Sequence, residues 1–112
     1  MKRIYNKLVR DNIPDIIRSK GEMPVTRVLN DADYKKALED KLYEEYDEVI
    51  TSEGSDRCEE LADMIEVIRS LAKLENKSLE DIVSLAGEKR VKRGGFDDKI
   101  FLEKVKEGMT AG

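Results

Sequence analysis

Histidine and tryptophan are absent from the 112 residues, cysteine occurs once, proline twice, and aromatic residues make up only 5%. Each shortage removes a class of chemistry. Without histidine there is no imidazole base, no His-ligated zinc and no Ser-His triad, so any metal must be held by oxygen. A single cysteine, Cys58, cannot close an internal disulfide, which fits a reducing, cytoplasmic compartment. No apolar run approaches the ~20 residues that cross a bilayer. The opening Met1-Lys2-Arg3-Ile4-Tyr5-Asn6-Lys7 has no apolar core of the kind a secretory signal carries. A membrane is therefore not expected as a partner. Two prolines and seven glycines are too few for a disordered chain.

Charge is what the chain has in quantity. Charged residues make up 41%, and 25 acids against 21 bases leave a formal charge of −4. The distribution is uneven. Residues 1–10 carry four bases (Lys2, Arg3, Lys7, Arg10) and no acid. Residues 39–66 carry twelve acids and two bases, and residues 87–106 seven bases and four acids. Duplex nucleic acid is disfavoured as a partner, because binding it needs a net basic surface. An acidic middle between basic ends suits a different pairing, in which acids hold metal cations and bases hold the phosphates those cations bridge. The alternative is that the segregated charges are simply solvated helix faces.

The pattern reads as mainly all-α, one domain over residues 1–112. An N-terminal arm with a short helix covers 1–30, a helical core 31–93, and a C-terminal arm 94–112. Pro14 suits the first turn of the short helix and Gly21 its exit. Asn30-Asp31-Ala32-Asp33 caps a long helix to about Ser52, with Leu38, Leu42, Tyr46, Val49 and Ile50 as its apolar stripe. Gly54 is expected to end it and Ser55 to cap the next helix. That helix runs to about Glu75 and carries Leu61, Met64, Ile65, Ile68, Leu71 and Ala72. Ser78-Leu79-Glu80-Asp81 resembles a capping box for a last helix, which Gly94-Gly95 breaks. Residues 25–29 and 99–103 have the composition of short strands and predict a two-stranded β element. Tyr46 and Phe96 are expected in the core, and Met109–Gly112 reads as a tail. The sum is a helical bundle with short loops.

Residues three apart share a helix face, so Glu45 with Glu48 and Glu60 with Asp63 form two side-by-side carboxylate pairs. In an antiparallel hairpin turning at Gly54, Glu45 lies nine residues before the turn and Asp63 nine after. Glu48 lies six before and Glu60 six after. The four acids thus fall on two matching levels, only ~4.5 Å apart at ~1.5 Å rise per residue. Anions crowded and partly buried in that way need a compensating charge. A hard divalent cation supplies it, and oxygen-only ligands on helices point to Mg²⁺, with Mn²⁺ as substitute. Such spacings also arise by chance in so acidic a chain, in which case the pairs face water.

The pattern Glu44-Glu45-x-x-Glu48, then Glu60-x-x-Asp63, resembles the signature of the MazG-like, all-α nucleoside triphosphate pyrophosphohydrolases. Tyr5-Asn6-Lys7-Leu8-Val9-Arg10-Asp11-x-Ile13-Pro14 looks like the opening of a subgroup described as phosphoribosyl-ATP pyrophosphohydrolase-like. Lys92-Arg93-Gly94-Gly95-Phe96, followed by Ile100-Phe101-Leu102-Glu103, looks like that subgroup's ending. The resemblance spans roughly residues 4–105. One departure is the eleven residues between Glu48 and Glu60, fewer than is usual in the family, which makes the hairpin tight.

The resemblance implies a MazG-like bundle, usually a homodimer or homotetramer, that cleaves a nucleoside triphosphate between its α and β phosphates. The products are a nucleoside monophosphate and pyrophosphate, in many members as house-cleaning of non-standard nucleotides. It makes Glu45, Glu48, Glu60 and Asp63 the Mg²⁺ ligands, and Glu44, with Glu45, a catalytic residue that orients or deprotonates the attacking water. Lys89 and Arg93, four apart on one helix face, then Lys92, Arg10 and Lys7, would bind the phosphates. Two rival readings stand beside this one. The first is phosphoribosyl-ATP hydrolysis by the same metal chemistry; the second is a helical module that binds a partner or nucleotide without catalysis.

Overall fold

The computed structural model describes residues 2–108. Four helices follow one another: α1 (Ile13–Ser19), α2 (Asp31–Ile50), α3 (Gly54–Leu74) and α4 (Leu79–Arg93). They divide into two compact units, one reaching Leu79 and the other beginning at Glu80. The tail expected after Gly108 lies outside the described residues. None of the helices described is long and apolar enough to cross a membrane.

The first unit is built around the antiparallel pair α2 and α3. Pro14 sits in the first turn of α1, where its missing N–H costs nothing. Gly21 leaves that helix at φ +80°, a left-handed exit that lets its N–H donate to the Arg18 carbonyl at 2.9 Å. The Asn30 side chain accepts from the Asp33 N–H at 2.8 Å and so caps α2. The chain then reverses within residues 51–53. Arg57 holds the reversal, its Nε donating to the Val49 and Ser52 carbonyls at 3.1 and 2.8 Å. Gly54 follows at φ +60°, a conformation that favours a residue without Cβ. Two details of the turn differ from expectation. Gly54 opens α3 instead of closing α2, and Ser55 lies inside α3, with Glu53 at the N-cap position. The reversal is so short that the second helix starts before Ser55 can act as its cap.

The seam between α2 and α3 buries Leu38, Val67 and Ala72, with Leu42, Val49, Met64, Ile68 and Leu71 half-buried beside them. The apolar stripes are wider than this seam. Tyr46, expected in the core, is 54% exposed, and Ile50, Leu61 and Ile65 are exposed with it. A two-helix pair has one contact line, and side chains at the outer edge of each stripe point past it.

In the second unit, α4 starts directly after Ser78 and stops at Arg93. Gly94, at φ +82°, donates its N–H to the Arg90 carbonyl at 2.8 Å, the left-handed stop expected of it. Beyond it Phe96 is 97% exposed, so it is not a core residue.

The expected two-stranded element is absent: among the described residues there is no strand. Val25 and Val28 are almost wholly exposed, and Lys99 has φ +60°, with its N–H donating to the Phe96 carbonyl in a turn. β-Branched composition is a preference for a pleated, half-buried surface, and neither segment has one to lie on.

Candidate metal centre

The reversal at residues 51–53 sets the register of the two long helices, and the register sets the acids. Glu45 on α2 and Glu60 and Asp63 on α3 each offer an oxygen, and all three oxygens lie within 4.8 Å of one another. The Glu45 and Asp63 level of the hairpin is therefore formed as the spacing predicts. Glu48 meets Glu60 on the other level, close enough for the two carboxyls to share a proton. Glu48 itself is exposed and stands outside the converging trio.

Burial separates this cluster from an ordinary acidic helix face. Glu45 is only 5% exposed, as closely covered as the apolar core. Its Oε1 lies 3.8 Å from the Lys41 ammonium, while its Oε2 is buried without a hydrogen-bond partner. The Oε2 of Glu60 is orphaned in the same way. Orphaned carboxylate oxygens are costly in a folded chain and ask for an explanation.

The electrostatics follow from that arrangement. Burial pushes the Glu45 carboxyl above its ordinary value, Glu48, Asp63 and Glu44 push it further, and Lys41 opposes them. Glu60 is pushed up to about 7, first by the proton it shares with Glu48, then by burial and by the charges of Glu48, Asp63 and Glu45. Glu44 goes the other way. Burial raises it, but Lys41 and Lys7, each pairing with it, outweigh that and hold it below its ordinary value. Lys41 lies 3.3 Å from its Oε2 and Lys7 3.4 Å from its Oε1.

Two of the basic residues expected at phosphates thus meet the cluster from the N-terminal arm. Lys7 pairs with Glu44, and Arg10 Nη2 donates to Asp63 Oδ1 at 2.7 Å. Lys89, Lys92 and Arg93 belong to α4 in the second unit and are exposed there. The neighbouring Arg90 lies 3.6 Å from Asp97. Lys41 was not among the expected site residues, although it is half-buried and contacts two acids of the cluster. Its signal was present: it precedes Glu44 by three residues and Glu45 by four on one helix face.

Three oxygens at such spacing on two helices, two of the acids carrying unpartnered buried oxygen atoms, match the donor set of a hard divalent cation. The fit rests on that donor chemistry and on the two orphaned atoms. Without a divalent cation the repulsion among these acids is only partly offset, by Arg10 at Asp63 and Lys41 at Glu45.

Among known proteins, a stretch of 50 residues is 46% identical to an uncharacterised protein of Mycolicibacterium smegmatis. The match covers 45% of this chain and spans about half, 51%, of that protein. No protein-family model matches the chain, and no solved structure does.

Proposed function

We propose that the protein is a Mg²⁺-dependent nucleotide pyrophosphohydrolase that cleaves a nucleoside triphosphate between its α and β phosphates. The observation that carries the reading is the Glu45 carboxylate, buried with an unpartnered oxygen and converging with Glu60 and Asp63. The order of acids and flanking motifs, similar to that of MazG-like enzymes, supplies the reaction class. Glu45, Glu60 and Asp63 would hold the ion, with Glu48 beside them. Bound there, Mg²⁺ would polarise phosphate oxygens and increase the acidity of water.

The chain's own residues do the remainder. Water adds to the α-phosphorus and gives up its proton to solvent, the bond from that phosphorus to the bridging oxygen breaks, and the electron pair leaves with pyrophosphate. Lys7 and Arg10, at the rim of the cluster, are placed to take up charge developing on the departing group. Glu44, kept ionised by two cations, suits orienting the attacking water; its lowered proton affinity makes it a poor base. A cytoplasmic setting accords with the free, exposed Cys58.

Incubation with a panel of ordinary, deoxy and damaged nucleoside triphosphates and Mg²⁺ tests the reading. Stoichiometric monophosphate and pyrophosphate are expected from at least one of them. Silence across the panel, with no Mn²⁺ binding in a calorimeter, would leave a non-catalytic helical module as the better account.

The assembly proposed is a homodimer or homotetramer. Its support is the apolar side chains left exposed on the two long helices, Tyr43, Tyr46, Ile50, Leu61 and Ile65. Sedimentation equilibrium is expected to give two or four times the 12.8 kDa chain mass. A monomer at micromolar concentration refutes the assembly and leaves the chemistry standing.

A further inference from the structure

We infer that the segment around Lys7 and Arg10 is an electrostatic strap on the acidic cluster, which a divalent cation displaces, freeing both cations for phosphate. The inference rests on the metal reading above and adds a coupling to it. Arg10 reaches Asp63, 53 residues away in sequence, and Lys7 reaches Glu44, 37 away. One of the three converging carboxylates is therefore already engaged by a guanidinium.

Apart from these pairs the segment is held by the Arg3–Glu22 ion pair and by the Ile13 N–H donating to the Arg10 carbonyl at 3.0 Å, and neither ties it to α2 or α3. It has no helix or strand of its own, and Ile4, Tyr5 and Val9 are exposed, with Leu8 alone half-buried. The ammonium of Lys7 lies 5.8 Å from the Tyr5 ring, a contact within the strap that does not anchor it to α2 or α3. The side chains of Arg10 and Lys7 are 56% and 42% exposed, so each ion pair is weak and readily exchanged.

Charge decides the direction of the coupling. When all are ionised, Glu44, Glu45, Glu48, Glu60 and Asp63 face Lys7, Arg10 and Lys41, an excess of two negative charges. A divalent ion cancels that excess and repels the three cations around it. Lys41 is fixed on α2 and only 18% exposed in its side chain, so it stays. Lys7 and Arg10 sit on a segment that can leave. A released guanidinium presents a fork that suits paired phosphate oxygens. Ion and strap thus compete for Asp63, and by reciprocity whatever weakens the strap tightens the ion.

Trypsin reads the strap directly, because it cleaves after Lys7 and Arg10. On the full chain with Mn²⁺ as the only added ligand, cleavage at these two bonds is expected to accelerate severalfold at saturation. Glu45→Gln, which loses the ion, should show no acceleration. In parallel, Arg10→Gln should bind Mn²⁺ about two- to fivefold more tightly by calorimetry, a gain that shrinks in 0.5 M salt. If Mn²⁺ binds yet cleavage is unchanged or slower, and Arg10→Gln binds no tighter, the strap is refuted while the metal centre survives. If Mn²⁺ does not bind the parent chain, both fall together.

Discussion

Glu45→Gln should give a protein that melts higher than its parent at pH 8 in chelator, and that has lost Mn²⁺ binding and nucleotide cleavage. The two halves of the result have one cause. Glu45 is 5% exposed and one of its oxygens has no partner. Its pKa is raised by burial first, then by Glu48, with Lys41 opposing. A carboxyl whose folded pKa is raised contributes stability below its unfolded value and loses it as the pH rises through the folded one. Once ionised, the side chain is thus a net cost, and a neutral isostere removes it. A gain of about 1 kcal/mol corresponds to roughly 4–8 °C in a domain of this size. Lys41 keeps a partner in Glu44 at 3.3 Å, so no new unpaired cation offsets the gain.

The same experiment in Mg²⁺ should reverse the order. Ligand present at 100 times its dissociation constant stabilises the folded state by about 2.7 kcal/mol, which the parent gains and the variant does not. Scanning calorimetry with and without Mg²⁺ therefore shows two melting curves that exchange places. A variant that binds Mn²⁺ as tightly as the parent would remove Glu45 from the site, and a variant that melts lower in chelator would make the carboxylate a structural group.

Helices and acid levels were legible in the sequence because their causes are local. Asn30 caps α2 through a bond three residues away, Gly21 and Gly94 end helices through their own φ angles, and the apolar period places Leu38 and Ala72 inward. The reversal before Gly54 turns that local information into tertiary information, because it fixes which acids of α2 and α3 share a height. That is why Glu45, Glu60 and Asp63 were predictable as neighbours. Spacing alone does not say how deep each acid lies, but angular position does: at 100° per residue Glu45 falls within the apolar stripe of α2 and Glu48 near its edge. The structure agrees, since Glu45 is as covered as the core and Glu48 is exposed. The Arg10–Asp63 contact has no local signature, since its partners are 53 residues apart and joined only by the path of the arm. The strand pair failed for the opposite reason: β-branched residues are a local signal for an interaction that is not local.

Metal affinity should depend on pH far into the neutral range. Glu60 is pushed up to about 7, so at pH 6 it holds a proton that an incoming cation must expel. Ordinary carboxylates, near 4.5, would give a flat profile above pH 5. With Glu60 required as a ligand, the apparent Mn²⁺ affinity is expected to fall below pH 7 with a slope approaching tenfold per unit, about fiftyfold between pH 7 and 5. Calorimetry in buffers of different ionisation enthalpy should also find close to one proton released per ion bound near pH 6. Without metal the sign reverses. The contribution of Glu60 to stability is complete below its ordinary 4.5 and disappears as the pH passes through about 7, so the chelated protein loses stability across that window while the loaded protein gains it. Glu48→Gln identifies the source of the shift. The proton shared with Glu48 is its largest cause, and an amide in that place donates to the Glu60 carboxylate and favours its charged form. Whatever that variant costs in affinity, the midpoint of its pH profile should move down toward the ordinary carboxylate range. A midpoint that stays near 7 would transfer the shift from the Glu48–Glu60 pair to burial and the charges of Asp63 and Glu45, and a profile already flat at pH 5 in the parent would take Glu60 out of the metal centre.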